Sequence, residues 1–512
     1  MKKLPIGIQD FKKIIKEDYL YIDKTKLIHR VLTSGAVYFL SRPRRFGKSL
    51  TLSTIKEIYS GNKDLFKGLW IENNWDWEQT NPVIHLSFNE ISYKEEGLVS
   101  ALTNELREIG EQFNVTLDGE HSGVLFRDLI TKVSEKHGKV VVLIDEYDKP
   151  LIDYLDDLEQ GHKHREILKS FYGILKPSDS KLKLLLITGV SKFSQVSIFS
   201  DLNHVDDITL NYQYSTLTGI TQEELETNFG ELIQKTADFQ EIPSAELLKK
   251  MKEWYNGYSW DTRKYVYNPF SILKFFANRK FSNFWYATGT PTFLIKLLRK
   301  RNFYKFEDLR GPSHYFETYT IDNLQTVALL FQTGYLTLKS EDDQGIFKLD
   351  FPNKEVKDSM LINLIDSFTY DENQYFAVPA VLQLRSAFET NNLESVIKVV
   401  NSLFKSIPSQ IFLKKPEAYY HSLVYLMFNY LGQYVEAEVN TSDGRIDAVV
   451  KTKSHIYILE FKVDETKEVA LQQIHDKNYA DKYQNEAKTI VGIGINFSSE
   501  AKGVEDWTFE NI

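Results

Sequence analysis

The sequence contains no cysteine. That excludes disulfides, a thiol nucleophile and any cysteine-ligated zinc or iron–sulfur centre, and it fits a reducing compartment. Long apolar runs are missing too. Runs such as Val140–Ile144 and Leu184–Ile187 are strand-sized and far below the ~20 residues that span a bilayer. Lys2 and Lys3 are not followed by an apolar stretch, so no secretory signal peptide is expected. The chain reads as cytoplasmic, with no membrane partner. Nor is there an excess of positive charge: 62 Lys and Arg stand against 71 Asp and Glu, a formal net charge of −9. This excludes a basic coat for non-specific nucleic-acid binding, though not a local basic cleft. Internal repeats and low-complexity segments are absent.

What is present suits large cores. Hydrophobic residues make up 42% and charged residues 26% of the chain, as in ordinary globular protein. The 33 Phe, 29 Tyr and 7 Trp supply bulky filling. A chain of 512 residues exceeds one typical core, which suggests about two to four domains.

Up to about Leu210, short apolar runs alternate with longer amphipathic stretches. Val37–Ser41, Val83–Phe88, Val140–Asp145 and Leu182–Thr188 read as strands buried on both faces. Ser49–Tyr59, Leu98–Phe113 and His164–Leu175 read as helices between them. This alternation implies a parallel sheet with right-handed crossovers. From Thr221 to Lys300 the pattern is mostly helical, with an aromatic turn cluster at Trp254–Tyr258. A hairpin follows at Tyr335–Lys339 and Gly345–Leu349, then helices through Asp358–Lys405. After Pro416 the order is helix, three strands, helix, strand.

The first strand runs into Ser41-Arg42-Pro43-Arg44-Arg45-Phe46-Gly47-Lys48-Ser49 and then a helix. Backbone N–H groups at a helix N-terminus attract phosphate, aided by the helix dipole. Gly47 permits close backbone approach. Lys48 would reach the β- and γ-phosphates of ATP, and the Ser49 hydroxyl would ligate magnesium. The usual loop has a further glycine where Arg42 stands, so Gly-Lys-Ser alone is equally a helix N-cap after a basic loop. A second motif resolves the ambiguity. Val140–Ile144 ends in Asp145-Glu146, where Asp145 would hold magnesium and Glu146 would act as general base toward water. Both motifs occur in the right order, each after its own strand.

These residues, with Tyr21–Thr25, Tyr147-Asp148, Thr188–Phe193, Trp254–Tyr258 and Tyr267–Ser271, resemble a bacterial AAA-ATPase-like family. That family carries Arg-Pro-Arg-Arg-Phe-Gly-Lys-Ser as its own loop variant. The resemblance implies that Arg42, Pro43, Arg44, Arg45, Phe46, Gly47, Lys48 and Ser49 together cradle the nucleotide. It also implies that Thr188 or Ser191 is a sensor-1 polar group. Arg44 and Arg45 either neutralise phosphate in cis or form a solvated loop, and no arginine finger is assigned.

Near the C-terminus, Glu417 opens a helix with Tyr420, Val424, Met427, Phe428 and Leu431 at helical spacing. Gly444-Arg445-Ile446-Asp447 turns into a strand, Ile446–Val450, and His455–Lys462 carries Glu460-Phe461-Lys462. Alternation along a strand puts Glu460 and Lys462 on one side and Phe461 on the other. This order resembles the PD-(D/E)XK nuclease superfamily. The resemblance implies that Asp447, Glu460 and Glu417 bind magnesium and that Lys462 stabilises developing charge. Gln473 and Tyr479 fall on the next helix, either against the substrate backbone or on a solvated face.

The expected fold is therefore α/β: a P-loop NTPase parallel sheet flanked by helices (1–220), a helical lid-like region (221–300), a mixed, mainly helical linker (301–405) and a restriction-endonuclease-like α/β domain (406–512). The expected cofactors are ATP and Mg2+. The expected function is an ATP-hydrolysing protein whose nucleotide state controls a magnesium-dependent nuclease, acting on DNA rather than RNA. Two rivals are a nucleotide switch whose nuclease fold only grips nucleic acid or protein, and a homo-oligomeric remodeller.

Overall fold

The computed structural model describes residues 2–155, 157–192, 204–288, 292–301, 303–317, 325–367, 377–405, 416–432, 436–442, 445–500 and 503–512. The chain forms two compact units, Met1–Gly289 with Phe306–Val356, and Thr290–Lys305 with Lys357–Ile512.

In the first unit, helices α1 (Phe11–Lys16) and α2 (Thr25–Ser34) precede β1 (Val37–Ser41) and α3 (Lys48–Tyr59). There follow β2 (Val83–Ser87), α4 (Leu98–Gln112), α5 (Ser122–His137), β3 (Val140–Asp145), α6 (Leu158–Gly173), β4 (Leu182–Gly189) and a short β5 (Asp206–Asp207). The strands form one parallel sheet in the order β2-β3-β4-β1-β5. Every residue of β1 and β3 is buried, which is why these strands read as unbroken apolar runs rather than alternating ones. Ser41 pairs in register with Gly189, and Ser87 with Asp145. The segments that follow β1, β3 and β4 therefore leave from the same edge of the sheet.

Helices α7 (Gln222–Phe239), α8 (Ser244–Tyr255) and α9 (Pro269–Asn278) share an apolar core that includes Leu225, Phe229, Met251, Tyr255, Ile272 and Phe275. Thr221 starts α7 with a capping box to Glu224, and Glu224 also takes an ion pair of 2.7 Å from half-buried Lys24. Next come β6 (Leu309–Gly311), α10 (Thr326–Thr333), β7 (Thr337–Glu341), β8 (Phe347–Asp350) and the start of α11 (Lys354–Ser367), a helix whose residues from Lys357 on belong to the second unit. The three strands form an antiparallel sheet, β6-β8-β7.

This division cuts across the four segments expected from sequence. The β7–β8 hairpin belongs to the first unit and is anchored within it. Ser259 N–H donates to the Thr337 hydroxyl at 2.8 Å, and that hydroxyl donates back to the Ser259 carbonyl at 3.1 Å. Glu355 is fully buried, accepting from the Ser271 hydroxyl at 2.8 Å and the Trp285 backbone N–H at 2.6 Å.

The second unit contains a short helix at Thr292–Lys300, then α12 (Ala377–Glu389), α13 (Leu393–Lys405) and α14 (Pro416–Leu431). Its sheet comprises β9 (Glu436–Ser442), β10 (Arg445–Lys451), β11 (His455–Val463), β12 (Thr489–Ser498) and β13 (Gly503–Asn511), with α15 (Lys467–Asp476) between β11 and β12. The order is β13-β12-β11-β10-β9, and only β11 and β12 run parallel. The structure has one more terminal strand than the single one expected. β13 is an edge strand of mostly half-exposed and exposed residues, including Glu505, Asp506 and Glu510, so its acidic sequence hides the pairing. Buried Phe461 stacks on Phe497 with ring centroids 5.9 Å apart, on the apolar side expected for it.

Burial raises the Glu355 carboxyl from its ordinary 4.5 to about 7, opposed by the bonds from Ser271, Trp285 and Tyr286. The folded protein thus binds a proton here that the unfolded chain releases, and stability falls as pH rises from about 4.5 to about 7. Glu355→Gln keeps the shape without the titration. Its Tm should gain on wild type as pH rises across that window, measured by thermal melts at pH 5 and pH 7.5.

Candidate functional site

Two sets of chemistry-bearing side chains stand out, one in each unit. The first lies at the carboxyl edge of the parallel sheet, where open α/β sheets bind ligands. Gly47 is the N-cap of α3 with φ 94°, and no side chain caps the helix. The first backbone N–H groups of α3 are thus left for another acceptor. Lys48 is buried, and its ammonium donates to the carbonyls of Arg42 at 3.1 Å and Pro43 at 3.3 Å. Ser49 is half-buried in the first turn.

Beside this loop, β3 and β4 end in a shared network. The Thr188 hydroxyl donates to Asp145 Oδ1 at 2.6 Å, with both residues buried. A hydrogen bond to a buried carboxylate contributes about 1.5–3 kcal/mol. Glu146 follows with φ 52°, an uncommon backbone state for a non-glycine residue and one that clusters at functional sites. Asp148 is buried and accepts from Ser191 N–H at 2.7 Å, the Ser191 hydroxyl at 2.6 Å and Val190 N–H at 3.2 Å. Burial pushes its carboxyl up, while the Ser191 and Val190 bonds and the Lys48 charge oppose the rise. Of the two sensor candidates, Thr188 therefore touches Asp145, whereas Ser191 is tied to Asp148.

The loop arginines differ among themselves. Arg45 is exposed, lying over the Phe270 ring at 5.0 Å, and Arg44 is half-buried. Arg42 is fully buried. Its Nη1 donates to the carbonyls of Ser41 and Thr209 at 2.8 Å each, and its Nη2 to Tyr214 O at 3.3 Å. Burial pulls its guanidinium below the ordinary arginine value, opposed by Asp207 and Asp261. Pro43 and Phe46 are buried too. The Arg42, Pro43 and Phe46 side chains thus face protein.

The second set sits on the mixed sheet. Glu460 is fully buried and Lys462 Nζ lies 3.4 Å from its Oε1. Lys462 also donates to Gln473 Oε1 at 2.6 Å, so Gln473 faces the site rather than solvent. Residue 447 stands opposite Glu460 in the β10–β11 register, and Gly494 beside it in the β11–β12 register. Gly494 lets α15 lie against the sheet: a Cβ there would sit 2.4 Å from the Lys467 carbonyl and 2.8 Å from Leu471 N. That close approach carries Gln473 to Lys462.

Phe193 and Gly444 lie outside the described residues, as do the side chains of Glu417, Tyr420 and Asp447. Among the described residues no group of three His, Asp or Glu gathers for a metal, and no helix is long and apolar enough to cross a membrane. The sequence carried a signal for Asp148, as the last acid of Asp-Glu-Tyr-Asp. It carried none for the groups that surround Arg42.

Comparison with known proteins adds three findings. Residues 5–199 match the family model described as predicted AAA-ATPase, AAA-ATPase-like. Residues 415–507 match the model of the PD-(D/E)XK nuclease superfamily. A protein from Azotobacter chroococcum mcd 1, described as an uncharacterized protein in the vnfD 5' region, is 37% identical over 530 residues, covering 100% of this chain and 99% of its own. No solved structure matches.

Replacing Gly494 by Ala should force α15 away from β12 at a cost of about 1–3 kcal/mol, as overpacking does. Urea denaturation of the whole protein, followed for the loss of its C-terminal unit, measures it.

Proposed function

Starting from the membership of this chain in the AAA-ATPase-like family, with a C-terminal module of the PD-(D/E)XK nuclease superfamily, we propose that it hydrolyses ATP and that its nucleotide state controls magnesium-dependent cleavage of nucleic acid, DNA in preference to RNA. One observation carries the nucleotide half: the uncapped N-terminus of α3, buried Lys48 and the Asp145–Thr188 pair belong to segments leaving one sheet edge. For the nuclease half, support comes from the Glu460–Lys462–Gln473 chain and from position 447 opposite Glu460.

Lys48 and the α3 backbone N–H groups bind the phosphates, neutralising charge that grows as the γ-phosphoryl group leaves. Glu146, held at the end of β3, accepts the proton of the attacking water. Thr188 orients that water and fixes Asp145. Hydroxyl and carboxylate oxygens are the donors magnesium prefers; Ser49 and Asp145 would hold it here, and Asp447, Glu460 and Glu417 in the second site. When bound, the ion supplies charge on the phosphate oxygens and a more acidic water. Lys462, steadied by Gln473, stabilises the developing negative charge on the scissile phosphate. Cross-strand partners share a face of a sheet, which suits a two-carboxylate site at positions 447 and 460.

Lys48→Ala should reduce ATP affinity by at least 100-fold, measured by calorimetry; an unchanged affinity would overturn the nucleotide assignment. Lys462→Ala should abolish cleavage of single-stranded DNA, double-stranded DNA and RNA while leaving ATP turnover within twofold of wild type. The assays use Mg2+ or Mn2+, with and without ATP. Nucleic-acid binding without cleavage in wild type would favour the switch that only grips.

A further inference from the structure

A phosphate-binding loop ordinarily folds on its own glycines, which let the backbone turn around the anion. The segment from Arg42 to Gly47 has one glycine and three arginines, so its shape must come from elsewhere. Each residue from Arg42 to Phe46 is held from outside the loop. The Arg42 guanidinium bridges the Ser41, Thr209 and Tyr214 carbonyls and lies 4.1 Å from the Trp260 ring centroid. Pro43 lies on Gly334, where a Cβ would come within 2.7 Å of it. The Arg44 carbonyl accepts from the Trp285 indole at 3.0 Å. Arg45 lies over Phe270, and Phe46 is set edge-on to Tyr258 at 4.7 Å.

We propose that Arg42 and Trp285 are positioning residues of the nucleotide site, clamping the loop at two points so that the α3 N–H groups and Lys48 meet the phosphates. The proposal rests on the ATP-binding reading above. Arg42 is not a phosphate ligand, because its Nη donors bind carbonyls. Drawing the guanidinium toward a phosphate would strip this donor from the Ser41 and Thr209 carbonyls inside the protein, and an unpaired buried polar group is costly. Trp285 is anchored in turn, its backbone N–H donating to buried Glu355 at 2.6 Å. The clamp sets the loop's backbone and touches no phosphate, so its loss affects ATP and ADP alike. A residue that contacts the γ-phosphate would instead weaken ATP selectively.

The test uses the full-length protein with ATP and with ADP, titrated by calorimetry. Trp285→Phe removes the indole N–H and keeps most of the ring. It should weaken both nucleotides by the same factor, about fivefold, as expected for one lost hydrogen bond. Arg42→Lys cannot span three carbonyls and should weaken both equally, by about tenfold or more. A residue with a merely structural role would lower Tm and leave the affinity of the folded protein unchanged. A loss for ATP more than tenfold greater than for ADP overturns the proposal, as do affinities within twofold of wild type in both variants. Should Arg42→Lys fail to fold, Trp285→Phe decides alone. Wild-type protein that binds neither nucleotide would sink the ATP reading itself, a result distinct from any of these.

Discussion

A guanidinium taken out of water needs acceptors for its donors, and few sites in a protein interior offer several carbonyls at once. Arg42 has such a site. It stands at the end of strand β1 and ties Ser41 to Thr209 and Tyr214, about 170 positions further along the chain. The turn after β5, the start of the loop from Arg42 to Gly47 and the aromatic cluster around Trp260 are all fixed relative to this one charge. Substituting a small residue would leave the Ser41 and Thr209 carbonyls short of a donor, at about 1–3 kcal/mol per buried group.

The neighbouring strand ends follow a different logic. Here the acids do the fastening: Asp145 holds Thr188, and Asp148 holds the backbone and hydroxyl of Ser191. Tyr147 completes the seam, its hydroxyl donating to the Ser191 carbonyl at 3.0 Å. Between two carboxylates turned inward, Glu146 alone is half-exposed. A single Asp-Glu-Tyr-Asp run thereby supplies both the rigid frame and the one acid left open toward water.

Much of this was legible in the sequence because it is carried by periodicity and by local motif. The four long strands of the parallel sheet appeared as apolar runs, since strands buried on both faces cannot hide their composition. Asp145 and Lys48 could be placed from their neighbours alone. The setting of Arg42 could not be read, because its partners at Thr209 and Tyr214 lie about 170 positions away and are backbone groups, which carry no sequence signal. Gln473 was equally at home on a solvated face until Gly494 brought its helix down onto β12. Strand β13 was missed for a related reason: an edge strand with a polar face resembles a charged tail.

The resting partners of Lys48 bear on how the site would fill. Its ammonium sits on two carbonyls of its own loop, so the loop is already ringed around a positive charge. Capture of a phosphate then becomes an exchange of acceptors within a formed cage, with little chain entropy to surrender. Release would return the ammonium to the same carbonyls, with no need for the loop to unfold and refold.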